Sequence, residues 1–264
     1  MQLKDVLIVY TIPRTKEQKS TLEIVKRILK KYKFNCKLAN RDKLSKTQFQ
    51  DKDLIIAVGG DGTFLRAAQF TDNQLIFGVN ADVKNKEGFL MKANKKDFEI
   101  KLKKIIKNEA KIKKLPRLEA YINNQKIETL ALNEFFIGSR KSYHAAKYSI
   151  GIYDKKEIQK SSGILVTTPV GSYAWAKSCC ERTLPLNSSN YQFIVREPYM
   201  GKELFMPTVI HGEIKPQEKM ILTSTRRDNG VLAINESVYD FNNGDVAEIF
   251  LSDKPLQVVF PLKS

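Results

Sequence analysis

Residues 53–68, DLIIAVGGDGTFLRAA, restrict the fold more than any other stretch of the chain. An apolar run meets two glycines, an aspartate, a third glycine and a segment of helical character, which is the pattern of a strand turning into a helix within an α/β unit. Glycines 59, 60 and 62 permit backbone angles closed to other residues and let the main chain approach a ligand closely. A helix beginning near Thr63 or Phe64 adds unpaired N–H groups and the positive end of its dipole, which favour phosphate. Asp61 is then an anion in an anion-attracting loop, so it needs a separate task such as polarising a hydroxyl or holding a metal ion. A plain structural turn between strand and helix is the competing reading of GGDG alone.

The flanking sequence extends the α/β pattern. Strands are predicted at 6–12, 34–40, 53–60 and 74–80, with helices at 16–32, about 63–70 and about 95–109. Strands separated by helices imply right-handed crossovers and a parallel sheet covered on both sides. Ligands of such sheets bind beyond the carboxyl ends of the strands, where GGDGT and GVNAD both fall. After Pro116 the character changes to short β-rich runs separated by turn residues, which predicts an antiparallel sheet or sandwich, interrupted by a helix only at 171–182. The expected organisation is therefore an α/β domain over 1–115 and a β-rich, sandwich-like domain over 116–250. Residues 251–264 form a final segment that could return to the first domain, and the site is expected in the cleft between the domains.

A chain of 264 residues with 42% hydrophobic content can bury a full core. No apolar run nears the roughly 18 residues needed to cross a bilayer, and neither a secretory signal nor a transit peptide is expected. Three cysteines, Cys36, Cys179 and Cys180, form no metal-ligand spacing and suit a reducing cytoplasm. The formal charge of +16 comes mostly from lysines at helical spacings such as KRILKKYK, which read as solvated faces. With no recognition motif present, no nucleic-acid partner is expected, although the positive field favours anionic small substrates.

Two further segments carry site chemistry. In LALNEFFIG, Asn133 and Glu134 interrupt an apolar run, so one faces inward and needs partners that a ribose or adenine edge could supply; an exposed turn is the alternative. In SSGILVTTPVGSYAWAKS, Ser172 and Tyr173 near a helix start could donate to a ribose or phosphate and Trp175 could pack on a ring; an N-capped structural helix is the alternative.

GGDGTFLRAA, GVNAD, ALNEF and TTPVGSYAW, in that order, resemble the motifs of NAD kinases over about residues 6 to 250. The strings GVNADVKNKEGFL, NEFFIG, QKSSG, GSYAW, IVREP and FNNGD resemble the mitochondrial-type branch. The resemblance implies transfer of the γ-phosphate of ATP, with Mg²⁺ or another divalent ion, to the 2′-hydroxyl of the adenosine ribose of NAD. It makes Asp61 the group that orients the hydroxyl or accepts its proton, and Gly60, Gly62, Thr63 and Arg66 phosphate-facing. It assigns Asn80, Asn133 and Glu134 to the substrate, Asn133 and Glu134 to its adenosine part. His144, Lys160 and Ser162 become contact positions, together with Thr168, Gly171, Ser172 and the stretch Tyr173, Ala174, Trp175 to Ser178 around the dinucleotide. Ser162 stands where many bacterial members carry aspartate, which bears on the nicotinamide end and on NAD against NADH. The family's late Asp-Gly motif and GGPI-type segment are absent. A homodimer, or a tetramer, is implied. A lipid or sphingoid-base kinase, which shares the GGDGT loop, and a non-catalytic dinucleotide sensor are the alternatives, and the phosphoryl donor is open among ATP, other nucleoside triphosphates and polyphosphate.

Overall fold

The computed structural model describes residues 3–179 and 182–260; Cys180 and the last four residues of the expected carboxyl-terminal segment lie outside them. The chain divides into two compact units, Met1–Lys114 with Leu256–Ser264, and Leu115–Pro255.

In the first unit, β1 (Asp5–Tyr10), α1 (Lys16–Lys31), β2 (Asn35–Asn40), a short α2 (Lys46–Phe49), β3 (Leu54–Gly59), α3 (Asp61–Ala68), β4 (Leu75–Asn80), a two-residue β5 (Ala93–Asn94), α4 (Phe98–Ile106) and β6 (Lys111–Leu115) follow in order. The sheet runs β2-β1-β3-β4, then the carboxyl-terminal strand Leu256–Phe260, then β6, with β5 on the end of β4. All pairings from β2 to the carboxyl-terminal strand are parallel. Every residue of β3 and β4 is buried, as expected of strands covered on both faces. The Thr15 hydroxyl caps α1 by accepting from the Gln18 N–H, and α1 seats Leu22, Val25, Ile28 and Leu29 in the core with Ile8, Ile56 and Phe77. Each such side chain contributes about 1.5–3 kcal/mol of burial free energy. The chain leaves β1 for β2 on one side and returns to β3 on the other, so the carboxyl ends of β1 and β3 make the topological switch point where α/β sheets bind ligands.

The second unit contains β7 (Leu118–Ile122), β8 (Gln125–Lys126), β9 (Glu134–Ser139), β10 (Ala146–Ile152), β11 (Lys155–Ser161), β12 (Gly163–Thr167), α5 (Trp175–Cys179), β13 (Tyr191–Arg196), β14 (His211–Ile214), β15 (Met220–Ser224), β16 (Gly230–Ile234), β17 (Ser237–Asp240) and β18 (Val246–Leu251). One six-stranded sheet runs β11-β10-β15-β18-β7-β8 and the other β14-β13-β12-β9-β16-β17. Leu118, Ile150, Leu222 and Ile249 from the first share one core with Phe135, Ile164, Phe193 and Leu232 from the second, which makes the unit a β-sandwich.

The structure moves two helix starts. The helix expected from about 63 begins at Asp61, because extended Gly60 serves as its N-cap, and the helix expected over 95–109 spans only Phe98–Ile106. The helical interruption at 171–182 is a 3-10 turn, Gly171–Tyr173, followed by α5.

Candidate active site

Gly59 and Gly60 lie at the switch point of the first unit. The expectation that they supply unusual backbone angles is corrected: the described glycines with positive φ are Gly88, Gly163 and Gly244, and neither Gly59 nor Gly60 is among them. Space is the reason for glycine here. A β-carbon on Gly59 would lie 2.3 Å from the Thr63 Oγ1, and one on Gly60 would lie 2.7 Å from the Lys86 Cδ. Gly62 is freer, its nearest neighbour being Arg41 Nη1 at 3.4 Å from such a carbon.

Asp61 is the first residue of α3, where the helix dipole favours an acid, so it is no electrostatic anomaly. Its Oδ1 accepts the Leu90 N–H at 2.8 Å and its Oδ2 the Phe89 N–H at 3.0 Å. A carboxylate offers about four acceptor sites, so each oxygen keeps one for a substrate hydroxyl. The clasp holds the carboxylate against the 81–92 segment, and Lys92 lies close by. Burial pulls the Lys92 ammonium below the usual lysine range, with the Asp61 charge opposing that shift. The Lys92 Nζ donates to the Phe89 carbonyl at 2.6 Å.

Other residues of the loop and its neighbours bond within the protein. Thr63 is buried, and its hydroxyl, packed beneath Gly59, has no hydrogen-bond partner. The Arg66 guanidinium reaches along α3 instead of toward the loop: Nη1 donates to Gln69 Oε1 at 2.6 Å and the group lies 5.2 Å from the Phe70 ring centroid. Asn80 is also buried; its side chain accepts from the Asp82 N–H and donates to the Lys86 carbonyl, fixing the segment after β4.

In the second unit several of the expected ligand donors take part in a hydrogen-bonded knot. Thr168 Oγ1 donates to the Leu132 carbonyl, and the Gly171 N–H bonds back to it. The buried Ser172 hydroxyl donates to the Pro169 carbonyl and accepts the Leu184 N–H. Thr168 and Ser172 therefore shape the turn, their hydroxyls engaged by backbone. The Asn133 carbonyl accepts from Thr167 Oγ1 and the Thr168 N–H, which locks the residue just before β9 to this turn.

Glu134 opens β9 opposite Thr167. Its Oε2 is buried without a partner, and burial pushes the carboxyl from its ordinary 4.5 up to about 7. Such an oxygen is completed by a ligand that brings a hydroxyl or amine donor. On the nearby turn Tyr173 and Trp175 remain 37% and 40% exposed, with Ala174 half-buried between them and Ser178 exposed. Trp175 lies 5.3 Å from Phe136, with the Arg196 guanidinium 4.8 Å over its ring. The Ser162 N–H donates to the Arg196 carbonyl. Lys160 lies over the rings of Phe205 and Tyr199, at 4.1 and 5.7 Å. His144 is exposed, its Nδ1 3.0 Å from Arg226 Nη2.

Sequence reasoning missed the Phe89 and Leu90 N–H groups and the lysines at 86 and 92. The glycine at 88, where φ is +68°, was the available signal that the chain turns sharply there to present two N–H groups. No group of three or more His, Cys, Asp or Glu suited to a metal occurs among the described residues.

The family model for the ATP-NAD kinase N-terminal domain matches residues 6–110. A protein of Oryza sativa subsp. japonica named probable NADH kinase is 27% identical over 277 residues, covering 96% of this chain and 84% of its own length. An NAD kinase of Brucella suis biovar 1 is 33% identical over 212 residues, covering 76% of this chain and 80% of its own. The fold matches the crystal structure of an NAD kinase from Archaeoglobus fulgidus in complex with ATP, with a TM-score of 0.77 at 22% identity, over 97% of this chain and 93% of that one.

Proposed function

The chain belongs to the NAD kinase family and is an ATP-dependent NAD kinase, and from that premise we propose which of its residues perform the transfer. The observation that carries the assignment is Asp61: a carboxylate on the first turn of a helix, at the switch point of a parallel sheet, fixed by two backbone N–H groups with acceptor sites to spare. A fixed carboxylate can orient the ribose 2′-hydroxyl. As the hydroxyl oxygen bonds to the γ-phosphorus and the bond to the β-phosphate oxygen breaks, ADP leaves and the hydroxyl proton passes to Asp61. ATP enters as its complex with Mg²⁺ or another divalent ion, which neutralises phosphate charge.

Glu134 and Asn133 serve the adenosine part of the dinucleotide, Glu134 by accepting a ribose hydroxyl on its unpartnered oxygen. Tyr173 and Trp175 offer exposed rings to the dinucleotide. A second reading concerns the acceptor. Ser162 lacks the carboxylate common at its position, and Arg196, bonded to it through the backbone, stacks on Trp175. A serine instead of a carboxylate at 162, beside a guanidinium whose ion-pair partner is the exposed Glu197 at 3.6 Å, favours the neutral ring of NADH over the cationic ring of NAD, and the rice relative is named for NADH.

We place the enzyme in a reducing cytoplasm, which suits its odd number of cysteines. It acts as a homodimer or tetramer, for which β11 and β14 offer sheet edges. No helix among the described residues is long and apolar enough to cross a membrane.

The test is NADP or NADPH formation by purified protein from ATP, Mg²⁺ and NAD or NADH, with Asp61→Asn alongside. Turnover that collapses in the variant supports the assignment; undiminished turnover in the variant removes Asp61 from the chemistry.

A further inference from the structure

The positive end of α3 is already matched by Asp61, which also takes two N–H groups of the neighbouring loop. Donor phosphates arriving at the GGDGT loop therefore meet a carboxylate where a helix terminus would otherwise attract them, so cationic side chains at the loop add to the neutralisation that the bound divalent ion begins. Two cations reach the loop from separate segments. The Lys86 side chain lies across Gly60, with its Nζ 3.6 Å from where a β-carbon would be. Arg41, in the turn that follows β2, brings Nη1 to within 3.4 Å of the corresponding point on Gly62.

Lys86 is held there by its backbone. Its N–H donates to the Asp82 carbonyl and its own carbonyl accepts from the buried Asn80 side chain. The side chain is half-buried, and among the described residues no carboxylate pairs with its ammonium. A half-buried lysine without a counter-ion costs desolvation that an anionic ligand would offset. Arg41 pairs through Nε with Asp42 at 3.1 Å, a mostly exposed carboxylate that leaves the Nη face toward Gly62. Neither residue belongs to a motif in the loop itself.

The geometry points to Lys86 and Arg41 as a two-sided clamp on the phosphate chain of the donor, with Asn80 as the residue that positions Lys86. The clamp rests on the kinase reading, and it recognises phosphates and not the base, so nucleoside triphosphates and inorganic tripolyphosphate share it.

The experiment compares wild type, Lys86→Gln, Lys86→Arg and Arg41→Gln by steady-state kinetics and by calorimetry with ATP and with tripolyphosphate. Expected is a rise of roughly tenfold or more in KM for ATP in each Gln variant, the loss of one charge-assisted hydrogen bond, with KM for the dinucleotide within about twofold. Lys86→Arg should recover most of the loss, and tripolyphosphate affinity should fall by the same factor as ATP affinity. An unchanged KM for ATP, or equal rises in both KM values, overturns the clamp. A fall for ATP alone overturns recognition through phosphates. If wild type shows no turnover, the kinase reading fails, and the clamp is then judged by tripolyphosphate affinity alone: a drop in the Gln variants retains it, equal affinity removes it.

Discussion

Gly171 backs directly onto the carbonyl of Asn133, so that a β-carbon there would come within 2.4 Å of that oxygen and 2.2 Å of Thr167 Oγ1. The two expected substrate segments of the second unit are thus joined through a contact that admits no side chain. Gly171→Ala should force the turn away from Asn133 and lower stability by about 1–3 kcal/mol, the usual cost of overpacking. Thermal unfolding reads the loss, and KM for the dinucleotide should rise while KM for ATP stays close to wild type.

Asp61→Asn should lower kcat by about 10² to 10⁴, the range for loss of general-base assistance. Asparagine retains one acceptor oxygen, so one of the two N–H groups at Phe89 and Leu90 loses its partner, which costs about 1–3 kcal/mol where that group is shielded from water. Dinucleotide affinity by calorimetry should remain near wild type. A matching collapse of affinity would show that Asp61 acts by shaping the loop instead of by handling the proton.

Thr63→Val tests the inward placement of that hydroxyl. The substitution removes a buried, unpartnered oxygen at nearly constant volume, so stability should hold or rise by about 1 kcal/mol. Both KM values should be unchanged, and a large rise in KM for ATP would restore Thr63 to the phosphates.

Glu134 makes binding and stability depend on pH. Its folded pKa near 7 lies above the ordinary 4.5, so the folded state holds the proton more tightly than the unfolded state. Stability is therefore favoured below 4.5 and declines as pH rises through 7, by at most about 3 kcal/mol. Glu134→Gln should flatten that decline when unfolding is followed from pH 5 to 8. A ribose hydroxyl donating to the carboxylate favours its charged form, so dinucleotide binding near pH 7 should release protons, detectable by calorimetry in buffers of different ionisation enthalpy.

Ser162→Asp should move the acceptor preference toward the oxidised cofactor. A carboxylate at 162 adds a negative charge to that of Glu197 and attracts the cationic nicotinamide, so the ratio of kcat/KM for NAD to that for NADH should rise severalfold, by about 1 kcal/mol of charge interaction at an effective dielectric between surface and interior. An unchanged ratio would separate this position from the nicotinamide end.

The parts of the fold that follow from neighbouring residues were legible in the sequence. The runs VLIVY, LIIAVG and LIFGVN are buried strands because continuous apolar stretches bounded by turn residues have few other uses. The site was legible to the extent that Asp61 stands between glycines at a strand end. What could not be read came from residues distant in sequence: the N–H groups that clasp Asp61 belong to residues 28 and 29 positions later, and Lys86 explains Gly60 from within an extended loop. Arg66 shows the opposite case. Its partners Gln69 and Phe70 lie within one turn of the same helix, where a local pair outcompetes a ligand that has yet to arrive.

The strand Leu256–Phe260 completes the first sheet only after the whole second unit has been traversed, and Gln257 bonds to the carbonyl of Asn73 across 184 residues. During synthesis the apolar edge of β4 therefore emerges from the ribosome long before the segment that covers it, and at about 5–20 residues per second that interval lasts on the order of ten seconds or more. The first sheet closes last although it is made first. Nascent chains of this protein should accordingly depend on holding factors more than their modest size suggests, and a version permuted to place that strand before β1 should fold with less aggregation.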